Sequence, residues 1–362
     1  MLLLTAPRGT PPPLRRLIIP FLFVTALFVT LYMRRVEPDF LTTEIRGQAM
    51  GTSYLVKVVS AANIPASYQA LSAGVQTAIE RVNQSMSTYQ DESEISQLNR
   101  QSADVPFEAS KDLRAVLTQA LIISRETGGA FDPTVGPVVN AWGFGPNKTT
   151  KPPTETELLA AQARVGFKKI RIDDLTQTIR KAQSDVYLDL SAIAKGYAVD
   201  QVTAFLVESG QRDFLVEIGG ELRTSGLNHR RKPWRLAVER PGPGQGDVHK
   251  NAIIDLGTGA MATSGDYRNF YEVDGRRVSH TIDPRTGRPI THSLTSVTVV
   301  APTCMEADGW ATALNVLGPD EAMGLAEKKK LNVFMLIRGK EGFEERATAG
   351  FTALRSNLKR PE

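Results

Sequence analysis

Asp308 and Thr312 stand four residues apart in Glu306-Ala-Asp308-Gly-Trp-Ala-Thr312-Ala-Leu, a spacing that puts both side chains on one face of a helix. A carboxylate and a hydroxyl with no imidazole or thiolate beside them suit a hard cation such as magnesium. That ion readily completes its shell with phosphate oxygens and water. Alone, the stretch fits equally well an amphipathic helix with an exposed aspartate. A second segment, Asp189-Leu-Ser-Ala-Ile-Ala-Lys195-Gly196-Tyr197, starts a helix within two residues of Asp189. Free N–H groups and partial positive charge at such a start suit a phosphate. Lys195, expected in or near the first turn, sits where the helix dipole disfavours a cation unless an anion is bound. A solvated lysine on an ordinary helix is the other reading. Neither a Walker A sequence nor GxGxxG occurs.

Ser279-His280-Thr-Ile282-Asp283-Pro284-Arg-Thr286-Gly287 combines turn chemistry with a histidine in a dense polar cluster. His280 could serve there as a general base near neutral pH, or as a structural histidine. Gly128-Gly-Ala130-Phe131-Asp132-Pro133-Thr134 is a glycine-rich helix exit that can bring backbone and an aromatic ring to a planar ligand. It reads equally as a helix stop and a packed turn. Tyr89 adds an aromatic beside a polar turn, and Met50-Gly51-Thr52 precedes a strand.

The elements that must position these residues follow from periodicity. Alternation at Thr52, Tyr54, Val56 and Val58 predicts a strand. Tyr68, Leu71, Val75, Ile79, Val82 and Met86 recur at three and four, as in an amphipathic helix. A Ser110 cap opens a helix that stops at Gly128, and Thr154 with Glu157 makes a capping box for one ending near Gly166. Val186 to Leu190 reads as a strand feeding the helix from Ser191 to Gly210. From Phe214 to about Val299, short alternating segments and glycine turns predict mostly strands. Thr303 and Glu306 form another capping box, for a helix ending at Leu317. A last helix near Asp320 to Lys330, a strand at Val333 to Ile337 and a ragged basic tail complete the chain. Helices and strands mix without regular βαβ alternation, which gives an α+β class with largely antiparallel sheets.

Composition narrows the function. Apolar residues at 41% and charged residues at 23% of 362 describe a folded body. A net charge of +4 without a basic run argues against nucleic acid as a partner. Four scattered histidines without an HExxH pair argue against zinc. The single cysteine, Cys304, forbids an internal disulfide, and none follows the N-terminal apolar run to carry a lipid. That run, Leu17 to Met33, has arginines on both sides and no small-x-small cleavage site. As a helix it rises about 25 Å, which suits an uncleaved anchor with a cytoplasmic N-terminus.

Together and in this order, the stretches DLSAIAKGYA, SHTIDPRTGRP and EADGWATAL, supported by MGT and GGAFDP, resemble the ApbE family of FAD:protein FMN transferases. The likeness runs from Met50 to about Gly318. It implies an exported, membrane-anchored enzyme that splits FAD and attaches FMN to a threonine of an acceptor protein, releasing AMP. FAD contacts carry over onto Met50, Tyr89, Ala130, Phe131, Asp132, Asp189, Lys195 and Ile282. A Mg2+ site falls on Ala192, through its backbone carbonyl, with Asp308 and Thr312. His280 is the candidate base, and Tyr89 or Phe131 the candidate partner for the flavin ring. The implied layout is a cytoplasmic segment at 1–16, a transmembrane anchor at 17–33, a linker at 34–48, a catalytic body at 49–345 and a tail at 346–362. The body would lie in the periplasm at the inner membrane, near an acceptor such as a membrane-associated redox subunit. The same site could support a metal-dependent FAD pyrophosphatase, and a non-catalytic flavin-binding protein is a third reading.

Overall fold

The computed structural model describes residues 25–27, 40–62, 67–145, 149–241, 248–265, 270–273, 276–340 and 342–355. Its centre is an eight-stranded sheet in the order β1-β2-β6-β7-β10-β15-β16-β17. These strands are β1 (Phe40–Ala49), β2 (Thr52–Ala61), β6 (Asp213–Ile218), β7 (Glu221–Ser225), β10 (Gly259–Gly265), β15 (Leu294–Ala301), β16 (Asn332–Gly339) and β17 (Gly342–Ala347). Every neighbouring pair is antiparallel. The α+β class with antiparallel sheets is thus what the chain adopts.

Both faces of the sheet are covered, and β15 and β16 are buried along most of their length rather than alternately. In β16, Val333, Met335 and Ile337 join the helix-side core, while Phe334 and Leu336 join the opposite one. The helix side carries α1 (Tyr68–Met86), α2 (Glu94–Arg100), α3 (Lys111–Glu126), α6 (Ser191–Glu208) and α7 (Cys304–Leu317). The other side is closed by the β8–β9 hairpin (Arg235–Pro241, Val248–Asp255) and α9 (Ala349–Leu354), through Val238, Ile254 and Phe351. Phe351 stacks on Phe334 with centroids 5.4 Å apart. Smaller elements complete the body: α4 (Gly136–Ala141), α5 (Glu155–Gln162), α8 (Pro319–Lys329), a three-stranded sheet of β3 (Phe107–Glu108), β5 (Thr178–Lys181) and β4 (Ile170–Asp173), and the hairpins β11–β12 (Phe270–Val273, Arg276–Ser279) and β13–β14 (Ile282–Asp283, Arg288–Pro289).

The helix boundaries follow their capping chemistry. Ser110 accepts from the Leu113 N–H, and Thr154 and Glu157 form the reciprocal capping box. At α7 only the Thr303 half of the expected box forms. The Cys304 and Met305 N–H groups donate instead to the Asp200 carboxylate, at 3.0 and 2.9 Å. A residue of α6 therefore caps α7, and an acidic group at a helix N-terminus is favoured by the helix dipole as well.

Three expectations need correction. The linker expected at 34–48 is strand β1 from Phe40, because Ile45 is buried against the core and the strand pairs fully with β2. Val186 to Leu190 is extended but joins no sheet. The Asn99 side chain takes the place of a neighbouring strand, accepting from the Leu188 N–H at 2.7 Å and donating to the Leu188 carbonyl at 2.9 Å. The ragged tail after Ile337 instead holds β17 and α9. The anchor run Leu17 to Met33 lies outside the described residues except for 25–27, and among the described residues no helix is long and apolar enough to cross a membrane.

Candidate active site at the crossing of two helices

Two helices meet where Gly196 of α6 faces Cys304 and Asp308 of α7. A Cβ at Gly196 would lie 2.3 Å from the Cys304 carbonyl oxygen and 2.8 Å from the Asp308 Cβ, so only glycine permits this approach. Further back on α6, Ile193 packs against Gly309. The two helices therefore run antiparallel here. The crossing joins two points 112 residues apart in the chain, Gly196 on one side and Asp308 on the other.

Asp308 is not an exposed surface carboxylate; it is buried, and its Oδ2 accepts from the Gly196 N–H at 2.9 Å. In a regular helix that N–H belongs to the carbonyl four residues back, which is Ala192's. A helical carbonyl keeps a second lone pair beside the one its N–H partner uses. Carbonyl, carboxylate and the Thr312 hydroxyl are all hard oxygen donors, the set magnesium prefers. Among the described residues no group of three or more His, Cys, Asp or Glu side chains converges. The arrangement suits a cation that draws further ligands from phosphate and water.

Lys195 departs from its sequence reading. It is the fifth residue of α6, one turn past the helix start, and its ammonium is already answered by carboxylates. Its Nζ lies 2.7 Å from Glu221 Oε1. Burial works to lower the Lys195 pKa, but the charges of Asp308 and Glu221 outweigh it and hold the ammonium well above its usual value. Glu221 was not found from sequence. Burial, reinforced by the charge of Asp308 and opposed by Lys195, pushes its carboxyl up to about 7. Asp308 is likewise raised by burial, against the pull of Lys195 and the Gly196 N–H. Two buried carboxylates thus share one ammonium, and Glu221 Oε2 is buried with no hydrogen-bond partner. This donor set fits an added cation on electrostatic grounds.

The loops complete one side of the molecule. Met50 and Gly51 sit at the tip of the β1–β2 hairpin with φ of 51° and 74°, and Ala49 pairs with Thr52. Two residues with positive φ make a type I′ turn, here with an unusual methionine at its first position. Thr52 abuts Gly219, in the turn that leads into Glu221. Asp189 donates its N–H to Pro133 at 2.7 Å, which joins the glycine-rich loop to the start of α6. Its Oδ1 accepts from the Ser191 N–H at 2.9 Å. Tyr89, 67% exposed, lies near enough to Asp189 that burial and then this charge raise its phenol.

Other expected contacts are internal. Ala130 and Phe131 are buried in the helix-side core, so the Phe131 ring does not present a stacking face to a ligand. Asp132 is buried too: Oδ1 accepts from Thr134 N and Oγ1 at 2.8 and 2.6 Å, and Oδ2 accepts from Phe167 N at 2.7 Å. Ile282 belongs to a small cluster with Val138, Leu158 and Ala161. His280, next to β13, meets Phe144 edge-on at 6.3 Å. This segment packs on α4 and α5, with the Trp142 indole donating to the Gly287 carbonyl at 2.8 Å.

Sequence reasoning also missed Lys181. Its fully buried ammonium donates to the carbonyls of Asn99, Ser184 and Val186 at 2.7, 2.9 and 3.2 Å. Burial lowers its pKa. With Asn99 it fixes the extended segment that delivers Asp189. A lone lysine in a strand carries no sequence signal for that role.

Comparison with known proteins agrees with this geometry. The ApbE family model matches residues 50–336. The FAD:protein FMN transferase of Haemophilus influenzae is 42% identical over 335 residues, covering 91% of this chain and 96% of that protein. The FAD:protein FMN transferase of Vibrio cholerae is 41% identical over 330 residues, covering 91% and 97%. Among solved structures, the flavin transferase ApbE from Vibrio cholerae superposes with a TM-score of 0.81 at 40% identity, over 87% of this chain and 99% of that one. The apo flavinyl transferase ApbE of Pseudomonas stutzeri gives 0.79 at 36%, over 87% and 97%.

Proposed function

The chain belongs to the ApbE family, and on that premise we propose that it carries FMN from FAD onto a threonine hydroxyl of an acceptor protein, with magnesium as its resident cation and AMP as leaving group. FMN transfer from FAD to a protein is the activity of an FAD:protein FMN transferase; the metal, the threonine and the roles below are the finer part of the proposal. The observation that carries them is the pair of buried carboxylates, Asp308 and Glu221, acting on the single ammonium of Lys195.

In this reading Asp308, Thr312 and the Ala192 carbonyl would hold magnesium, which would supply charge neutralisation at the phosphoryl oxygens. Lys195 and the N-terminus of α6 offset further charge on the diphosphate. The exposed Tyr89 ring offers the stacking face for the flavin, and the Met50 tip closes the site from the hairpin side. The threonine oxygen attacks the FMN-side phosphorus, and the bond to the bridging oxygen breaks. AMP departs with that oxygen. The proton released by the threonine passes to a base, for which His280 is the candidate.

The apolar run Leu17 to Met33 with its flanking arginines supports a further part of the proposal. The protein is anchored in the bacterial inner membrane with its catalytic body in the periplasm, where a membrane-associated redox subunit is a fitting acceptor. External protease that digests the body in intact spheroplasts supports this; protection of the body contradicts it.

The decisive experiment mixes the purified full chain with FAD, magnesium and a threonine-bearing acceptor, and follows the acceptor by mass spectrometry. Gain of one FMN group on a threonine, lost on chelation and with Asp308→Asn, is the expected result. Free FMN and AMP without acceptor modification would instead mark a pyrophosphatase, and tight FAD binding without turnover a carrier.

A further inference from the structure

We propose that Glu221 is a positioning residue for FMN transfer, acting through Lys195: its buried carboxylate holds the ammonium in place beside Asp308. The proposal rests on the transferase reading above and deepens it. Glu221 follows the Gly219–Gly220 turn at the start of β7, where both glycines have positive φ, of 66° and 104°. Gly219 of that turn lies close to both the Glu221 carboxylate and Thr52 of the hairpin tip. Oε1 holds Lys195 Nζ at 2.7 Å, and Oε2 stays buried without a partner.

A long lysine side chain, left alone, samples many rotamers, and ordering it opposes productive placement on a diphosphate. Glu221 removes that freedom in advance. It does so at the expense of a second buried negative charge beside Asp308, an arrangement that no purely structural ion pair requires. A pair serving stability alone would need one carboxylate for one ammonium, and the charge of Asp308 already acts on Lys195. Replacing Glu221 by glutamine therefore leaves one buried carboxylate, Asp308, to balance the Lys195 charge, while releasing the ammonium from its contact with Glu221.

The test is a cycle of Glu221→Gln, Lys195→Met and the double variant in the full chain, with melting temperature measured in chelator at pH 8 and transfer measured with FAD, magnesium and acceptor. Glu221→Gln is expected to melt at or above the wild-type temperature, yet transfer FMN at least about 10-fold more slowly, with the Kd for FAD changed less than about 3-fold. Lys195→Met, which leaves two buried carboxylates unanswered, is expected to melt at least about 4 °C lower, and the double variant to recover most of that loss. Lower melting of Glu221→Gln together with its slower transfer overturns the proposal, as does a double variant that recovers nothing. An undiminished transfer rate in Glu221→Gln overturns it while the transferase reading stands. Wild-type protein that leaves the acceptor unmodified overturns that reading before any variant is compared.

Discussion

The Gly196 amide donates to Asp308 Oδ2 at 2.9 Å across the crossing of α6 and α7, with no side chain between the two backbones. One contact thus joins the two helices and orients the carboxylate. Gly196→Ala should therefore be harmful, although alanine favours a helix over glycine by about 1 kcal/mol. The new methyl meets the Cys304 carbonyl, which is backbone and cannot step aside. A net loss of about 1–3 kcal/mol is expected in denaturant unfolding, with transfer falling further than stability alone explains. A variant as stable as wild type would show that the crossing tolerates a methyl group.

The buried carboxylates make metal-free stability depend on pH. Glu221 titrates near 4.5 when unfolded and at about 7 when folded. Between those values the folded chain holds a proton that the unfolded chain has lost, so stability falls as pH rises through this window and then levels. Asp308, also raised, adds to the same trend. The exposed carboxylates Glu157 and Asp173 are lowered by their hydrogen bonds and act below this window. Melting in chelator should therefore decline from pH 5 to pH 7, and magnesium should raise it more at pH 8 than at pH 6. A melting temperature that climbs with pH in chelator contradicts the assignment.

Lys181→Met keeps the stem of the side chain but strips three carbonyls of their donor. Buried acceptors left unpaired cost about 1–3 kcal/mol each where water cannot reach them. Melting should fall by several degrees, and the Asp189 segment should lose its hold, seen as weaker FAD binding and faster amide exchange at 184–190. Melting at the wild-type temperature would mean that the ammonium is dispensable to the segment.

His280→Asn keeps a polar group of similar size and removes the basic nitrogen. If His280 takes the threonine proton, single-turnover transfer slows much more than FAD binding weakens. Equal losses in both would assign it to binding instead.

Much of this architecture was legible because it rests on local chemistry. The caps at Ser110 and Thr154 are short-range devices, and the period of α1 is written in six apolar residues. The helix that carries Asp308 and Thr312 was legible from its Thr303 cap. What escaped was non-local. Val186 to Leu190 has the composition of a strand and is extended as one would be, but its partner is the side chain of Asn99 rather than a backbone. Glu221 and Lys181 acquire their roles only when distant segments bury them. Asp132 and Phe131 look like ligand contacts in a glycine-rich loop, yet the fold turns both inward. Burial of that kind is a property of the assembled core, and no window of a few residues contains it.

The 112-residue separation between the two sides of the helix crossing also has a temporal meaning. At a synthesis rate of about 5–20 residues per second, Asp308 leaves the ribosome roughly 6–22 seconds after Gly196. In that interval strands β6, β7, β10 and β15 must still be made and ordered between the two helices. A growing or truncated polypeptide that ends before α7 therefore lacks one whole side of this crossing.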